Sequence, residues 1–290
     1  MAYGRSDPDI SYIGGDHGIK SYYILFKIDG KMEMGIDVII PENKWGYSLA
    51  ERPKDYKYPV LWLLCGGGFD YTDWQRYTAI ELYAAQAGIA VVMPSAYYSG
   101  YMDTIHGDYK YFSVITDEIS KLAVKLFPLS EKREDNFVAG IAMGGNGSLA
   151  LGLKRPDLYA ACVDLSGGIG CSVDTDAFID EVRTLKMERL QSTFGNPDKL
   201  RDGQYDLGGY ARRAVENGTK LPDIYIAVGE NDFIRDVVRK DRDALISSGI
   251  PIHYEEVKGY THDWNFWDPY LKKALSEWLP LKREPIYLQG

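Results

Sequence analysis

Three separated positions of this chain have the residue types and spacing that acyl transfer requires. The first is the centre of GIAMG, residues 140 to 144, where glycines flank a turn between an apolar run and a helix-favouring segment. This spacing is that of the G-x-S-x-G elbow, which presents a nucleophile on a strained turn. Its central residue here is Ala142, and a methyl group cannot attack a carbonyl. The pattern therefore predicts a nucleophile position without its nucleophile.

Two explanations of Ala142 compete. Either a serine was deliberately replaced by alanine, or the chain is a natural homologue that has lost catalysis. Because the surrounding segment is still built for a hydroxyl, we favour replacement. Taken alone, the segment also fits an ordinary glycine-rich turn. Only the rest of the chain can distinguish a catalytic elbow from such a turn.

An acid and a histidine follow two later apolar runs in the expected order. Asp232 comes shortly after the run that ends at Val228, and His262 comes shortly after the run that ends at Val257. Nucleophile, acid and histidine follow one another in this order in α/β-hydrolases. His262 would accept the proton of a serine and deliver it to the leaving alcohol, while Asp232 would hold the tautomer of the imidazole. Separately, each residue also fits a surface histidine or a helix cap.

The remaining histidines and acids fit these two roles less well. His106, in a loop before a predicted helix, is the reserve base, and Asp164, at the end of a neighbouring apolar run, is the reserve acid. The weaker candidates are His17, His253 and Asp263.

Negative charge on the tetrahedral intermediate requires backbone N–H donors that already point at it. The residue after the elbow centre, Met143, offers one donor at the start of a helix. The second is expected in the glycine triplet that follows Leu64, because glycines let the backbone approach a substrate closely. Gly67 is our choice, and its neighbours Gly66 and Gly68 stay open as alternatives.

Aromatic residues near the predicted site could hold the acyl ring of a substrate. The chain has 23 tyrosines, and tyrosine combines an apolar face with a hydroxyl. The aromatic candidates are Trp74, Tyr97, Tyr98, Trp264 and Trp267. Such residues also line loops and cores, so both readings stay open. The residues we expect to contact substrate are Gly66, Gly68, Trp74, Tyr98 and Trp264.

The elements that would position these residues alternate along the chain. Short apolar runs predict buried strands at 60–64, 89–93, 137–141, 159–165, 224–228 and 252–257. Helical spacing between them predicts helices at 79–87, 112–127, 233–246 and 268–279. The alternation predicts an α/β fold with a mostly parallel, doubly wound sheet. Reactive groups then lie in the loops at the carboxyl ends of the strands.

Two segments depart from the alternation. Apolar runs at 22–28 and 32–40, joined at Asp29-Gly30, predict a hairpin and hence antiparallel strands at one edge of the sheet. The polar segment 172–221 predicts a cap-like helical insertion, with helical pieces at 177–190 and 210–215. We expect residues 1–290 to form a single domain.

Composition excludes several function classes. The chain has 290 residues and a net charge of −9, with 33 basic and 42 acidic side chains and no basic run, so nucleic acid is not an expected partner. No apolar stretch could span a membrane and the start lacks a secretory layout, so we expect a soluble, cytoplasmic protein unless a leader was trimmed. The three cysteines have no metal-ligand spacing and are read as reduced packing residues. We expect no metal and no cofactor, and a homo-oligomer stays open.

Four segments together resemble a known family. They are LWLLCGGGFDYTDW at 61–74, AGIAMGGNGSLAL at 139–151, VGENDF at 228–233 and GYTHDWNFW at 259–267. From about residue 20 to residue 279 the chain resembles the esterase D and S-formylglutathione hydrolase group of α/β-hydrolases. It is most similar to the bacterial branch of tributyrin and feruloyl esterases.

The resemblance implies the same site residues. Position 142 would be the serine nucleophile, Asp232 the acid and His262 the base, with the amides of Gly67 and Met143 as the oxyanion hole. Two departures stand out. Alanine occupies position 142, and cysteine occupies position 65, which is often histidine in the bacterial branch.

The expected function is therefore a serine carboxylic-ester hydrolase that acts on short-chain or hydroxycinnamoyl (feruloyl) esters, present here without its nucleophile. The substrate would be a small-molecule or carbohydrate-linked ester. Two alternatives are a natural non-catalytic protein that binds such ligands and an acyltransferase that uses a sugar as acceptor.

Overall fold

The computed structural model of the chain describes residues 9–13, 19–28, 32–41, 55–168, 170–184 and 193–282. Within these ranges nine strands form one sheet, in the order β1-β2-β3-β5-β4-β6-β7-β8-β9. The strands are β1 Asp9–Ile13, β2 Ile19–Ile28, β3 Met32–Pro41, β4 Val60–Leu64, β5 Ala90–Pro94, β6 Asn136–Ile141, β7 Ala161–Leu165, β8 Asp223–Gly229 and β9 Ile252–Val257. Strands β4 to β9 run parallel, and β1 to β3 add an antiparallel edge.

Helices connect and cover these strands. They are α1 Asp73–Tyr77, α2 Ile80–Ala87, α3 Tyr111–Ser113, α4 Ser120–Leu126, α5 Met143–Lys154, α6 Thr175–Thr184, α7 Leu207–Glu216, α8 Arg235–Ser247 and α9 Trp264–Lys273. Two π-helical stretches, Val114–Ile119 and Ala274–Trp278, continue α3 into α4 and extend α9. In the described ranges, no helix has the length and apolar content to cross a bilayer.

The sheet is buried on both faces, as the continuous apolar runs predict. Along β4, Val60, Trp62 and Leu64 belong to one hydrophobic cluster, and Leu61 and Leu63 belong to the other. Successive side chains of a strand point to opposite faces, so both faces need a helical cover. Helices α5 to α8 contribute residues to the first cluster, and α1, α2 and α9 contribute to the second. The predicted α/β-hydrolase architecture is confirmed.

Several boundaries differ from the predicted ones for local reasons. Helix α9 starts four residues earlier than predicted, because the carboxylate of Asp263 accepts the N–H groups of Asn265 and Phe266 and caps the helix there. Strand β1 was not predicted, and it pairs antiparallel with β2. The predicted turn Asp29-Gly30 lies outside the described residues, although β2 and β3 do pair antiparallel.

The segment predicted to be a cap-like insertion connects β7 to β8. Its helices α6 and α7 bury Phe178, Val182 and Ala211 in the same hydrophobic cluster as the sheet. Residues 185–192, where the predicted helical piece 177–190 ends, lie outside the described residues. A capping role for this segment stays a prediction.

A buried carboxylate in α8 anchors the start of that segment. Asp241 accepts hydrogen bonds from the Ser172 hydroxyl and from the backbone N–H groups of Val173 (2.8 Å) and Asp174 (3.0 Å). Its other oxygen accepts from the amide of Asn146 in α5, at 3.3 Å. Burial nevertheless raises the pKa of Asp241 to about 6, because these hydrogen bonds only partly offset the loss of solvation.

This raised pKa predicts a pH dependence of stability. The folded-state pKa lies above the unfolded value of about 3.9, so the contribution of Asp241 is fully present below pH 4 and is lost as the pH rises through 6. We expect the stability of Asp241→Asn relative to the unchanged chain to rise by on the order of 2 to 3 kcal/mol between pH 4 and pH 7. Urea unfolding at several pH values measures this difference, and a constant offset at all of them would contradict the assignment.

Candidate active site

Position 142 has the backbone geometry of a nucleophile elbow. Ala142 lies between β6 and α5 with φ of 50° and ψ of −119°, a positive-φ conformation outside the left-handed helical region that alanine rarely adopts. Its N–H donates to the carbonyl oxygen of Leu165, at 3.0 Å, and its carbonyl accepts from the N–H of Gly145, at 2.9 Å. The turn is therefore held from the neighbouring strand and from its own helix.

The two glycines of the motif are required by close backbone contacts. A Cβ at Gly140 would collide with the carbonyl oxygen of Gly144. A Cβ at Gly144 would lie 2.6 Å from the carbonyl oxygens of Leu64 and Cys65. No side chain fits at either position, because β6, α5 and the end of β4 converge there. The prediction from spacing thus has a steric basis.

The predicted acid and base are hydrogen-bonded to each other. The Nδ1 atom of His262 lies 2.9 and 3.0 Å from the two carboxylate oxygens of Asp232. Asp232 follows β8, and His262 follows β9, so both lie at the carboxyl edge of the sheet, as does Ala142 after β6. With Nδ1 directed at the carboxylate, Nε2 is the ring nitrogen left for a substrate or nucleophile.

Hydrogen bonds keep the Asp232 carboxylate ionised. Burial alone would raise the pKa of Asp232, but hydrogen bonds from the His262 ring, the N–H of Ile234 and the Ser166 hydroxyl together hold it below its ordinary value. The Ile234 N–H lies 3.0 Å from the carboxylate. A buried negative charge beside an imidazole is the arrangement that stabilises an imidazolium during proton transfer.

The glycine loop after β4 lies against the elbow. A Cβ built on Gly66 would be 3.4 Å from the Cβ of Ala142, and one built on Gly67 would be 3.8 Å from the Cβ of Met143. The hydroxyl of Tyr101 donates to the carbonyl of Cys65 at 3.0 Å and so fixes the start of the loop. The structure therefore brings the predicted oxyanion residues together beside position 142.

The predicted aromatic contacts divide into exposed and buried residues. Tyr98 is 53% exposed, and its ring lies over Gly67 and Gly68. Trp264 is half-buried and stacks on Tyr77. Trp74 is fully buried, and its indole N–H donates to the carbonyl of Leu64. Its ring contacts the ring of Trp264 edge to face. Of the three aromatic residues expected to contact substrate, Trp74 alone has no exposed surface.

The reserve candidates lie elsewhere or face other partners. His106 is exposed in the loop before α3, and His253, on β9, contacts Glu255. Asp164 is buried on β7, where burial raises its pKa well above the ordinary value and the N–H of Gly167 is its donor. Asp263 is the cap of α9. His17 lies outside the described residues.

Two residues beside the acid and base were not identified from the sequence. Phe233 is 75% exposed, and its ring centroid lies 4.6 Å from that of His262. Ser166, directly after β7, is fully buried, and its hydroxyl helps to lower the pKa of Asp232. The only signal for Phe233 was its position directly after the predicted acid, and Ser166 resembled an ordinary turn residue.

Comparison with known proteins gives this site a family. The family model described as "Putative esterase" matches residues 31–278, which is most of the chain. The chain belongs to this esterase family. Strands β3 to β9, the elbow and the paired histidine and aspartate all lie within the matched region.

Individual relatives agree with this assignment. The esterase chain is 27% identical over 261 residues to an acetyl esterase of Caldicellulosiruptor saccharolyticus, covering 86% of this chain and 93% of that protein. It is 27% identical to the substrate-bound fluorophosphonate-binding serine hydrolase F of Staphylococcus aureus, with a TM-score of 0.74 over 92% of this chain and 97% of the other. An S-formylglutathione hydrolase of the same organism gives 27% identity and a TM-score of 0.73, over 92% and 98% of the two chains.

The conformation at position 142 predicts an unusual response to glycine. In most elements, Ala→Gly destabilises a protein by about 0.5–1 kcal/mol, but a positive φ strains alanine by about 1–3 kcal/mol. We expect Ala142→Gly in this esterase to be neutral or stabilising by up to about 1 kcal/mol. Chemical denaturation measures the change.

A buried alanine in the same helix provides the matched control. Ala150 in α5 is as buried as Ala142, and its replacement by glycine removes an equivalent methyl group from regular helix. Ala150→Gly should destabilise by at least about 1 kcal/mol. An equal loss of stability in both variants would contradict the strained turn.

Proposed function

We propose that this esterase scaffold hydrolyses short-chain carboxylic esters through an acyl-enzyme on residue 142, and that the chain with Ala142 lacks the nucleophile. The observation that carries the proposal is the His262–Asp232 hydrogen bond at 2.9 Å, on the same edge of the sheet as an elbow whose central residue has a positive φ. The names of the related acetyl esterase and S-formylglutathione hydrolase support a small acyl group.

The proposed chemistry assigns one step to each group. With serine at 142, its oxygen forms a bond to the carbonyl carbon while its proton moves to Nε2 of His262. The N–H groups of Gly67 and Met143 stabilise the resulting oxyanion. As the intermediate collapses, the bond to the alcohol oxygen breaks and His262 donates its proton to that oxygen. Water then repeats the sequence on the acyl-enzyme and releases the acid.

The flanking aromatic residues suggest which part of the ester each side of the site receives. His262 delivers its proton to the alcohol, so the ring that lies on His262, that of Phe233, would contact the alcohol part. Tyr98 covers the glycine loop, so it would contact the acyl part, where a hydroxycinnamoyl ring or a short acyl chain can lie. Four expectations from the sequence stay predictions. They are a carbohydrate-linked alcohol in the substrate, a cytoplasmic location, a homo-oligomer and a cap role for segment 172–221.

Restoring the serine tests the proposal directly. Ala142→Ser should hydrolyse p-nitrophenyl acetate with an initial burst of nitrophenol and a kcat at least about 10³-fold above that of the unchanged chain, because a missing nucleophile removes most of the acceleration. Stopped-flow and steady-state kinetics measure both quantities.

The control for this experiment is the base. His262→Ala in the Ala142→Ser protein should return kcat close to that of the unchanged chain, since the effects of replacing residues that act as a unit are not additive. A folded Ala142→Ser protein that stays inert yet binds esters tightly would favour the ligand-binding alternative. Faster formation of a sugar ester than of free acid would favour the acyltransferase.

The role of Phe233 predicts a substrate-dependent loss. In the Ala142→Ser protein, Phe233→Ala should lower kcat/KM about 5- to 10-fold for acetate esters of aromatic or sugar alcohols, the size of one lost ring contact. Methyl acetate should change less than about twofold, because its alcohol part does not reach the ring. Ile246→Ala, which removes an exposed apolar side chain at the far end of α8, is the control. An equal loss for all esters would mean that Phe233 only holds His262 in place.

A further inference from the structure

Ser166 occupies a position that a serine would not be expected to hold for packing alone. It is the first residue after β7, its side chain is fully buried, and its φ is 55°. Non-glycine residues with positive φ persist only where the surrounding structure fixes them, and such residues are concentrated at functional sites. Its N–H donates to the carbonyl of Ala227 in β8, at 2.8 Å. The backbone is therefore held against the strand that leads to Asp232.

The hydroxyl of Ser166 is held by a tryptophan. The indole N–H of Trp267, in α9, donates to the Ser166 oxygen at 3.1 Å. An indole nitrogen can only donate, so this oxygen is the acceptor that fixes the plane of the Trp267 ring. The same hydroxyl helps to hold the pKa of the Asp232 carboxylate below its ordinary value.

The same tryptophan also contacts the base. The ring of Trp267 meets the ring of His262 edge to face, with centroids 4.9 Å apart and planes at 87°. Trp267 is almost fully buried, so it cannot move away from either neighbour without opening the core. One rigid side chain therefore contacts both the imidazole of His262 and the hydroxyl of Ser166.

The peptide before Ser166 reaches the nucleophile position. The carbonyl of Leu165 accepts the N–H of Ala142, at 3.0 Å. Two consecutive residues at the end of β7 thus bond to the elbow on one side and to the strand that leads to the acid on the other. A change in the conformation of this turn would alter the spacing between position 142 and the acid–base pair.

We propose that Ser166 is a positioning residue, whose hydroxyl oxygen holds the indole of Trp267 and, through that ring, keeps the imidazole of His262 aligned with the Asp232 carboxylate. The expected effect on catalysis rests on the function proposed above. The hydrogen bonds themselves are present in the chain with Ala142. It assigns to Trp267 a role in orienting the acid and base instead of contact with substrate. Ser166 itself touches no reacting atom.

The first experiment uses the chain with Ala142 and needs no turnover. The proton on Nδ1 of His262 should give a downfield NMR signal that is protected from solvent exchange, because it is bonded to a fixed carboxylate. Ser166→Ala and Ser166→Gly should both move this signal upfield and speed its exchange. Glycine removes the backbone strain at positive φ and alanine keeps it, so agreement between them attributes the effect to the hydroxyl.

A buried serine outside the site serves as the matched control. Ser148 in α5 is fully buried, and its single hydroxyl proton is shared between the carbonyls of Gly145 and Val163, at 2.7 and 2.8 Å. Ser148→Ala removes a buried hydroxyl of the same size, and it should leave the His262 signal in place. If Ser166→Gly is folded and keeps the signal and its protection, or if Ser148→Ala moves the signal equally, the proposal is wrong.

Kinetics then separate positioning from binding. In the Ala142→Ser protein, Ser166→Gly should lower kcat about tenfold with KM changed less than twofold, since loss of the hydrogen bond to Trp267 disturbs the alignment of the acid and base and not the binding of the ester. Trp267→Phe keeps a ring beside His262 but loses the N–H, and it should reproduce part of the loss. A change in KM alone would contradict the positioning role. An inert Ala142→Ser protein would count against the proposed esterase activity, and the NMR result would still decide the role of Ser166.

Discussion

The site depends on the close approach of β6, α5 and the end of β4. A Cβ at Gly140 or Gly144 would collide with neighbouring backbone atoms, so neither position admits a side chain. The turn between the two glycines forces residue 142 into a positive φ. This conformation places the side chain of residue 142 at the carboxyl edge of the sheet and brings the glycine loop at Gly66 within contact of it. Because these contacts involve backbone atoms, they do not depend on whether residue 142 is serine or alanine. The scaffold of the site therefore persists without the nucleophile.

Buried carboxylates show how the fold separates structural acids from the acid of the site. Asp164 and Asp241 lie in the core, and burial raises the pKa of both. Asp232 is also buried, but a ring, a backbone N–H and a hydroxyl hold its pKa below the ordinary value. The number of donors does not decide which carboxylate stays charged, since Asp241 accepts four hydrogen bonds and its pKa is still raised. Asp232 differs in that it faces an imidazole, whose hydrogen bond and charge both lower the pKa of the acid.

The parts of this site that follow from backbone topology could be predicted from the sequence. Strand ends in a parallel sheet meet at one edge, which is why Asp232 and His262 were expected to meet and do so. Side-chain contacts between distant segments could not be predicted. Ser166 and Trp267 are 101 residues apart, and a serine after a strand usually only forms a turn. Trp74 was expected at the surface of the site, but the spacing of aromatic residues does not distinguish a binding surface from the core beneath it.

Labelling with a fluorophosphonate tests the central claim, that the fold holds an activated nucleophile position at residue 142. Such probes modify a serine hydroxyl only when a base and an oxyanion hole activate it, and a related serine hydrolase of Staphylococcus aureus is described as binding them. Intact mass and peptide mapping should show a single adduct on residue 142 of Ala142→Ser, none on the unchanged chain, and none when His262 is also replaced by alanine. A folded Ala142→Ser protein that gains no adduct, or gains one on another residue, would contradict the account.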